Sequence, residues 1–489
     1  MLLVVALMSL GYHKAQAEIV IPKVPAELQE TVDGYIQALL LNPADEQVMK
    51  DIDKNKAIKK NKEVLVAIGY KFLDNNLFGN AIGLAKKVYE MDPTFLPAIY
   101  LEGDAYFKMA NNNAYGLAAT KYEEAKTLDP NSLDPYLKLV GVYRYINPDY
   151  AIELMQEIKN KKTDDPKINQ VLGTLYYQLA DTVHAREYYN KYFATYPDGQ
   201  GDITVQREYS IILFLAKDYK GALNESEKFL KSNPKDPVLR RIVFLSNCEL
   251  GDDSATQVAH DKYFGQFADS VYQEIDYRYK GQFLNHIKDY NGAVAAYKAA
   301  AKLDSTDAAT QYNLSKTYEK LKDYANAIDA YKMYMHLIKK DSDVNENFRL
   351  GRVYYNAANA ETDSIARLKL IEAGDKVYAW VDAAMKKEGE VSYQGVFWRS
   401  RINQLVDKKK PNKKAADYMI EATKRLADPK FAGEDYNAHR SQAYAYISWY
   451  YMDTENFPEA RKNADEALKY DEEQPLAKNV LNYLNIIGK

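Results

Sequence analysis

Residues 274–307, EIDYRYKGQFLNHIKDYNGAVAAYKAAAKLDSTD, and residues 308–341, AATQYNLSKTYEKLKDYANAIDAYKMYMHLIKKD, decide the fold. Moving Gly281, Leu284, Ala293, Tyr297 and Ala300 forward by 34 positions lands on Ser315, Tyr318, Ala327, Tyr331 and Tyr334, a small or aromatic residue each time. A fixed period of this length marks stacked supersecondary units in place of one globular core. Within the 34 residues, relative positions 4, 7, 8 and 11 share one helical face, and 20, 24 and 27 share another. Each unit therefore reads as two amphipathic helices. The small residue at position 8 and the alanine at position 20 let two helix backbones approach closely, and a large aromatic at 11 or 24 fills the space beside them.

Outward from this pair the spacing recurs. It is found in Leu172-Gly173-x-x-Tyr176 with Ala185 and Tyr189, in Ile68-Gly69-x-x-Phe72 with Ala81, and in Leu350-Gly351-x-x-Tyr354. The turns pair Asp with an aromatic, as in Lys288-Asp289-Tyr290 and Lys322-Asp323-Tyr324. Pro93, Pro130, Pro197 and Pro234 follow second helices, where they stop them. These residues resemble the tetratricopeptide repeat (TPR) family, whose helix-turn-helix carries the same order of Leu-Gly, Tyr, Ala, aromatic, Ala and Pro. The resemblance is strong at 62–95, 166–199, 274–341 and 441–474, and good at 96–130 with three residues inserted near Asn111-Asn112-Asn113. It fades at 131–165, 203–234 and 235–269. The 391–429 repeat is degenerate, and about ten extra residues precede the second helix of 342–389, so that 355–372 reads as a long loop.

The expected organisation is an all-α, right-handed α-solenoid of helix-turn-helix TPR units, the handedness being what the resemblance implies. Its parts are a signal peptide at 1–17, a helical lead-in and cap at 18–61, an N-terminal TPR array at 62–269, a regular TPR pair at 270–341, a C-terminal array with insertions at 342–474, and a capping helix at 475–489. Both caps are expected to turn a polar face outward. The signal reading rests on the apolar run Leu2 to Leu10 and on Ala15-Gln16-Ala17, a small-x-small cleavage pattern; His13-Lys14 lies on the wrong side of that run for a charged leader. Cleavage there leaves Glu18 first, with no cysteine to carry a lipid, and no stretch reads as a transmembrane helix. The expected location is periplasmic or outer-membrane-associated.

Composition narrows the function. Lys and Arg number 65 against 69 Asp and Glu, so nothing marks a nucleic-acid binder. The six histidines show no helical metal-ligand spacing, and no phosphate loop, nucleophile elbow or Cys–His arrangement occurs. No cofactor, metal or catalytic residue is therefore expected. The single cysteine, Cys248, cannot close an internal disulfide and reads as core. Asp198-Gly199-Gln200-Gly201-Asp202 has too few oxygen ligands for a calcium loop and reads as a turn between repeats. Lys408 to Lys414, with five lysines, reads as a soluble turn.

The binding surface follows from helical phase. With Gly281 and Leu284 inward, Arg278, Gln282 and Asn285 fall on the opposite side of the first helix. The matching trios are Tyr312, Lys316, Glu319 and Phe348, Arg352, Tyr355, with Asn356 flanking the last. The resemblance implies that first helices line a concave groove. There the alternating cations and rings suit an extended protein or peptide ligand. The pattern departs from the family's carboxylate clamp, since Arg278, Tyr312 and Phe348 stand at position 5. The leading expectation is a non-catalytic adaptor in a cell-envelope assembly, associated with an outer-membrane complex. The alternative is a glycan-binding component of a polysaccharide-uptake system, suggested by 43 tyrosines against 15 phenylalanines.

Overall fold

The computed structural model describes residues 20–161, 165–196, 201–387, 389 and 392–489. The proposed signal peptide, Pro197 and the stretch Asp198 to Gln200 lie outside the described residues. Among those described, helices and turns account for all regular structure and no strand occurs. The chain forms two compact bodies, Met1–Phe267 and Ala268–Lys489.

The N-terminal body opens with α1 (Gln29–Leu41) and α2 (Glu46–Lys54). Six helix pairs follow: α3 (Lys62–Asp74) with α4 (Phe78–Met91), α5 (Leu96–Lys108) with α6 (Asn112–Leu128), α7 (Asp134–Tyr143) with α8 (Pro148–Lys159), α9 (Pro166–Gln178) with α10 (Thr182–Phe193), α11 (Ile203–Leu215) with α12 (Tyr219–Leu230), and α13 (Pro237–Leu250) with α14 (Asp253–Tyr263). The C-terminal body pairs α15 (Glu274–His286) with α16 (Tyr290–Leu303), α17 (Ala308–Leu321) with α18 (Tyr324–Leu337), α19 (Val344–Ala360) with α20 (Ser364–Lys387), α21 (Gln394–Asn403) with α22 (Lys413–Leu426), and α23 (Asn437–Asp453) with α24 (Phe457–Tyr470); α25 (Pro475–Ile486) follows. From α3 onward every helix packs on the next within its body, and first helices of neighbouring repeats touch, as α3 does α5, α9 does α11 and α15 does α17.

The small residue at position 8 does the work expected of it. A methyl group added to Gly281 would sit 2.5 Å from the Tyr297 ring, one on Gly173 2.5 Å from Tyr189, and one on Gly351 2.6 Å from Tyr378. Gly103 faces Tyr122 in the same way at 2.6 Å, the partner displaced by the three inserted residues. At two serines in this position the hydroxyl bonds across the pair: Ser315 donates to the Ala327 carbonyl at 2.8 Å and Ser400 to that of Ala415 at 2.6 Å. Tyr122, Tyr136, Tyr189, Tyr297, Tyr331 and Tyr378 are fully buried, so these tyrosines of the excess serve the packing between helices.

The turns inside repeats share one device. Asp181, Asp218, Asp289 and Asp323 cap second helices by accepting from the backbone N–H three residues on. The residue before each, namely Ala180, Lys217, Lys288 and Lys322, adopts a left-handed φ between 57° and 67°. A left-handed residue followed by a capping acid reverses the chain in the fewest residues.

Several expectations need correction. The stretch 355–372 is not a long loop: α19 runs to Ala360, α20 begins at Ser364, and the surplus residues lengthen both helices. Its alanines and long side chains favour helix, and Ile371 and Tyr378 of α20 are buried. Leu284 packs against the core while only partly buried, and Phe283 beside it is buried as well, 5% exposed. Cys248 is half-buried, with burial pushing its thiol up to about 12, an inert group. The outer faces of the end helices are not uniformly polar, since Leu40 and Leu41 on α1 and Tyr483 and Ile486 on α25 are exposed.

Candidate functional site

The predicted wall residues fall into three environments. On α15, Arg278 is largely sheltered and committed to the chain itself: its Nε lies 2.9 Å from Glu274 and 3.7 Å from Asp307. Burial raises the Glu274 carboxyl despite that neighbouring cation. Gln282 is exposed and Asn285 half-buried on the same helix.

On α17 and α19 the residues converge. Tyr312, Lys316, Glu319, Arg349, Arg352, Val353 and Asn356 line a hollow of about 340 Å³. Four of the nine predicted residues meet here, joined by Glu319 from the same phase argument. Lys316 reaches Glu319 at 2.8 Å and lies 5.7 Å from the Tyr312 ring. Asn356 donates to the other Glu319 oxygen at 3.3 Å, tying α19 to α17. Arg349 turns to Glu346 at 2.8 Å, and Glu346 also accepts from the buried Tyr331 hydroxyl at 2.7 Å. Burial and the Glu346 carboxylate together drive the Tyr331 phenol far above its ordinary value.

Phe348 and Tyr355 occupy the third environment, with a residue the sequence reading passed over. Trp398 of α21 meets Phe348 at 6.0 Å and Tyr355 at 5.5 Å, both edge-on, and stacks on Tyr378 at 5.9 Å. Arg352 lies over the Trp398 ring at 5.4 Å. Arg401, also on α21, donates to the Tyr355 hydroxyl at 3.3 Å and to Gln442 at 3.4 Å. Arg401 and the burial of His439 hold that imidazole below its usual value, burial being the larger cause. A signal for Arg401 existed: Ser400 is the small residue at position 8, so Arg401 is the register equivalent of Arg352. The lysine-rich turn and missing Leu-Gly pair obscured it.

A second hollow, of about 830 Å³, lies in the N-terminal body and was not foreseen. The first helices α7, α9 and α11 supply its buried Val140, Val171, Leu175 and Val205, with Lys167, Gln170, Thr174 and Gln178 on the same side of α9. The phase rule applied to the 166–199 repeat picks out Gln170 and Thr174. Glu208 closes one end, accepting from Thr174 at 2.8 Å and from Tyr189 at 2.5 Å. No group of His, Cys, Asp and Glu among the described residues is arranged to hold a metal ion.

Helix pairs of this spacing, stacked through a small residue at position 8 and an aromatic at 24, define a TPR-type α-solenoid. No family model matches the chain, and no curated protein does. Among solved structures it is similar to the C-terminal part of a TPR repeat-containing protein from Cytophaga hutchinsonii, at 20% identity over 56% of this chain and 99% of that one, TM-score 0.42. A tetratricopeptide repeat protein from Parabacteroides merdae aligns at 14% identity over 52% of this chain and 98% of that one, TM-score 0.35. A thermophilic TPR protein of Thermus thermophilus aligns at 15% identity over 38% of this chain and 98% of that one, TM-score 0.29. The repeat fold of this chain stands on its own helix pairs.

Proposed function

We propose that this protein is a non-catalytic scaffold that holds a protein partner on the wall built by its first helices, within a cell-envelope assembly. One observation carries the reading: Tyr312, Lys316 and Arg352, chosen by helical phase, and the flanking Asn356 line one hollow between α17 and α19. A wall made of packed helices orders little when a guest arrives, so a preformed surface loses little affinity to ordering. The envelope setting is supported by the apolar run Leu2 to Leu10 and the small-x-small pattern at Ala15-Gln16-Ala17. Among the described residues, no helix is long and apolar enough to cross a membrane.

Photoreactive residues placed at Lys316 and Arg352 in cells, read by mass spectrometry, test partner and location together. The expected product is a crosslink to an envelope protein. Crosslinks to cytoplasmic proteins alone would remove the envelope setting, and none to any protein would remove the scaffold reading. Titration with a panel of polysaccharides separates the glycan-binding alternative, for which heat should be released where a scaffold gives none.

A further inference from the structure

Position 9 of each repeat forms a column down the first helices. In the N-terminal body the polar groups of the first helices bond to one another. Tyr70 donates to Asp104, position 9 to position 9, at 3.2 Å, Lys138 of α7 also donates to Asp104 at 2.6 Å, and Thr174 at position 9 donates to Glu208 of α11 at 2.8 Å, each bond joining one repeat to the next. Both acids find donors on neighbouring first helices.

The same column in the C-terminal body reads Gln282, Lys316, Arg352, Arg401 and Trp449. Three successive repeats present a cation, with no acid between them in the column. Lys316 has Glu319 on its own helix at 2.8 Å. Arg352 is backed by the Trp398 ring, and Arg401 bonds only to the neutral Tyr355 and Gln442. Among the described residues neither guanidinium meets a carboxylate. Packing gives no reason to stack like charges on adjacent helices, where their repulsion is uncompensated. A guanidinium lying on a ring keeps its N–H edge open for a two-pronged bond to an oxyanion.

We infer that the guest of this wall is an extended acidic segment of a protein, whose carboxylates pair with Arg352 and Arg401 while Lys316 completes the row. This rests on the partner-binding reading above and supplies the chemistry of the partner. The geometry also fixes a spacing. Neighbouring helices pack about 8–10 Å apart, and an extended polyproline-type chain advances about 9 Å in three residues while returning to the same face. The acids of the guest should therefore recur at every third residue.

The test is fluorescence anisotropy on the full chain at low salt, with a dye-labelled peptide bearing Glu at every third position and Ala or Pro elsewhere. Binding is expected, weakening steeply as salt rises. Arg352→Gln and Arg401→Gln should each weaken it roughly tenfold, the scale of a charge-assisted bond. Lys302→Gln, an exposed cation on the second helix α16, should leave it unchanged. Both arginines are on the surface side of their helices, and unchanged circular dichroism of the variants checks that they fold. Equal binding of the peptide with Gln in place of every Glu, or indifference to both arginine substitutions, would overturn the inference. So would binding of a polyuronate in preference to the peptide. If a protein still crosslinks at Lys316 and Arg352 while the acidic peptide fails, this inference falls and the scaffold reading stands; if no protein crosslinks, both fall.

Discussion

Single residues decide how closely the helices of a repeat approach. Gly281 sits where a Cβ would enter the space of the fully buried Tyr297. In an isolated helix, Gly→Ala gains about 1 kcal/mol. Here overpacking opposes that gain, and Gly281→Ala should cost a net of about 1–2 kcal/mol, read as a lower denaturant midpoint with unchanged slope. Lys322 offers the opposite case. Its φ of 60° is one that a residue with a Cβ adopts at a cost of about 1 kcal/mol. Lys322→Gly removes that strain, so a rise in stability of up to about 1 kcal/mol is expected, visible as a higher melting temperature. The signs run against the propensity scale in the first case and with backbone sterics in the second.

At the scale of elements, α20 to α22 form the part of the molecule least legible in the sequence. The extra residues near 355–372 read as a loop because the 34-residue template has no place for them. They lengthen α19 and α20 on either side of a short break at 361–363, and Ile371 finds a buried place. These helices are fastened by a polar cluster: Asp375 of α20 accepts from Arg399 of α21 at 2.8 Å and from Lys414 of α22 at 2.9 Å. Burial pushes the Asp375 carboxyl upward, yet hydrogen bonds and charge from Arg399 and Lys414 prevail and hold it below the usual carboxylate range. A carboxyl whose folded value is depressed adds stability that is fully present above its unfolded value, about 3.9, and lost as pH falls through the folded one. Asp375→Asn should therefore cost about 2 kcal/mol at neutral pH. The gap between the two proteins should narrow as pH falls below the unfolded value of about 3.9, measured by denaturant unfolding across pH. The lowered His439 works in the other sense of charge: its neutral form is favoured by folding, so its contribution fades as pH drops below about 6.5.

Across the whole molecule, stability is a sum over repeats and their neighbours, so a local defect stays local. Gly281→Ala should speed amide exchange in α15 to α17 while the α9–α11 amides keep their protection. The cation column has a global signature of its own. With no guest present, Lys316, Arg352 and Arg401 repel one another, so the double change Arg352→Gln, Arg401→Gln should leave the empty protein as stable or slightly more so. Any gain should be below about 1 kcal/mol and vanish at high salt, read by thermal melts at two ionic strengths. A wall built only for packing would lose stability from both changes.

The sequence alone determined the helix pairs, their period and their phase, because side chains recurring at fixed offsets on a helix leave no other face to bury. It reached Lys316 and Arg352 through the same phase. Tertiary structure alone decided which wall cations are already spent. Arg278 is held by Glu274 and Asp307, whereas Arg352 and Arg401 rest on rings and amides. Only the structure joined Trp398 and Arg401 to the wall, and only it opened the hollow between α7, α9 and α11. The reason is physical: periodicity is a property of one helix and is written locally. Whether a charge finds its counterion depends on which helices stand beside it, and no spacing within a single helix records that.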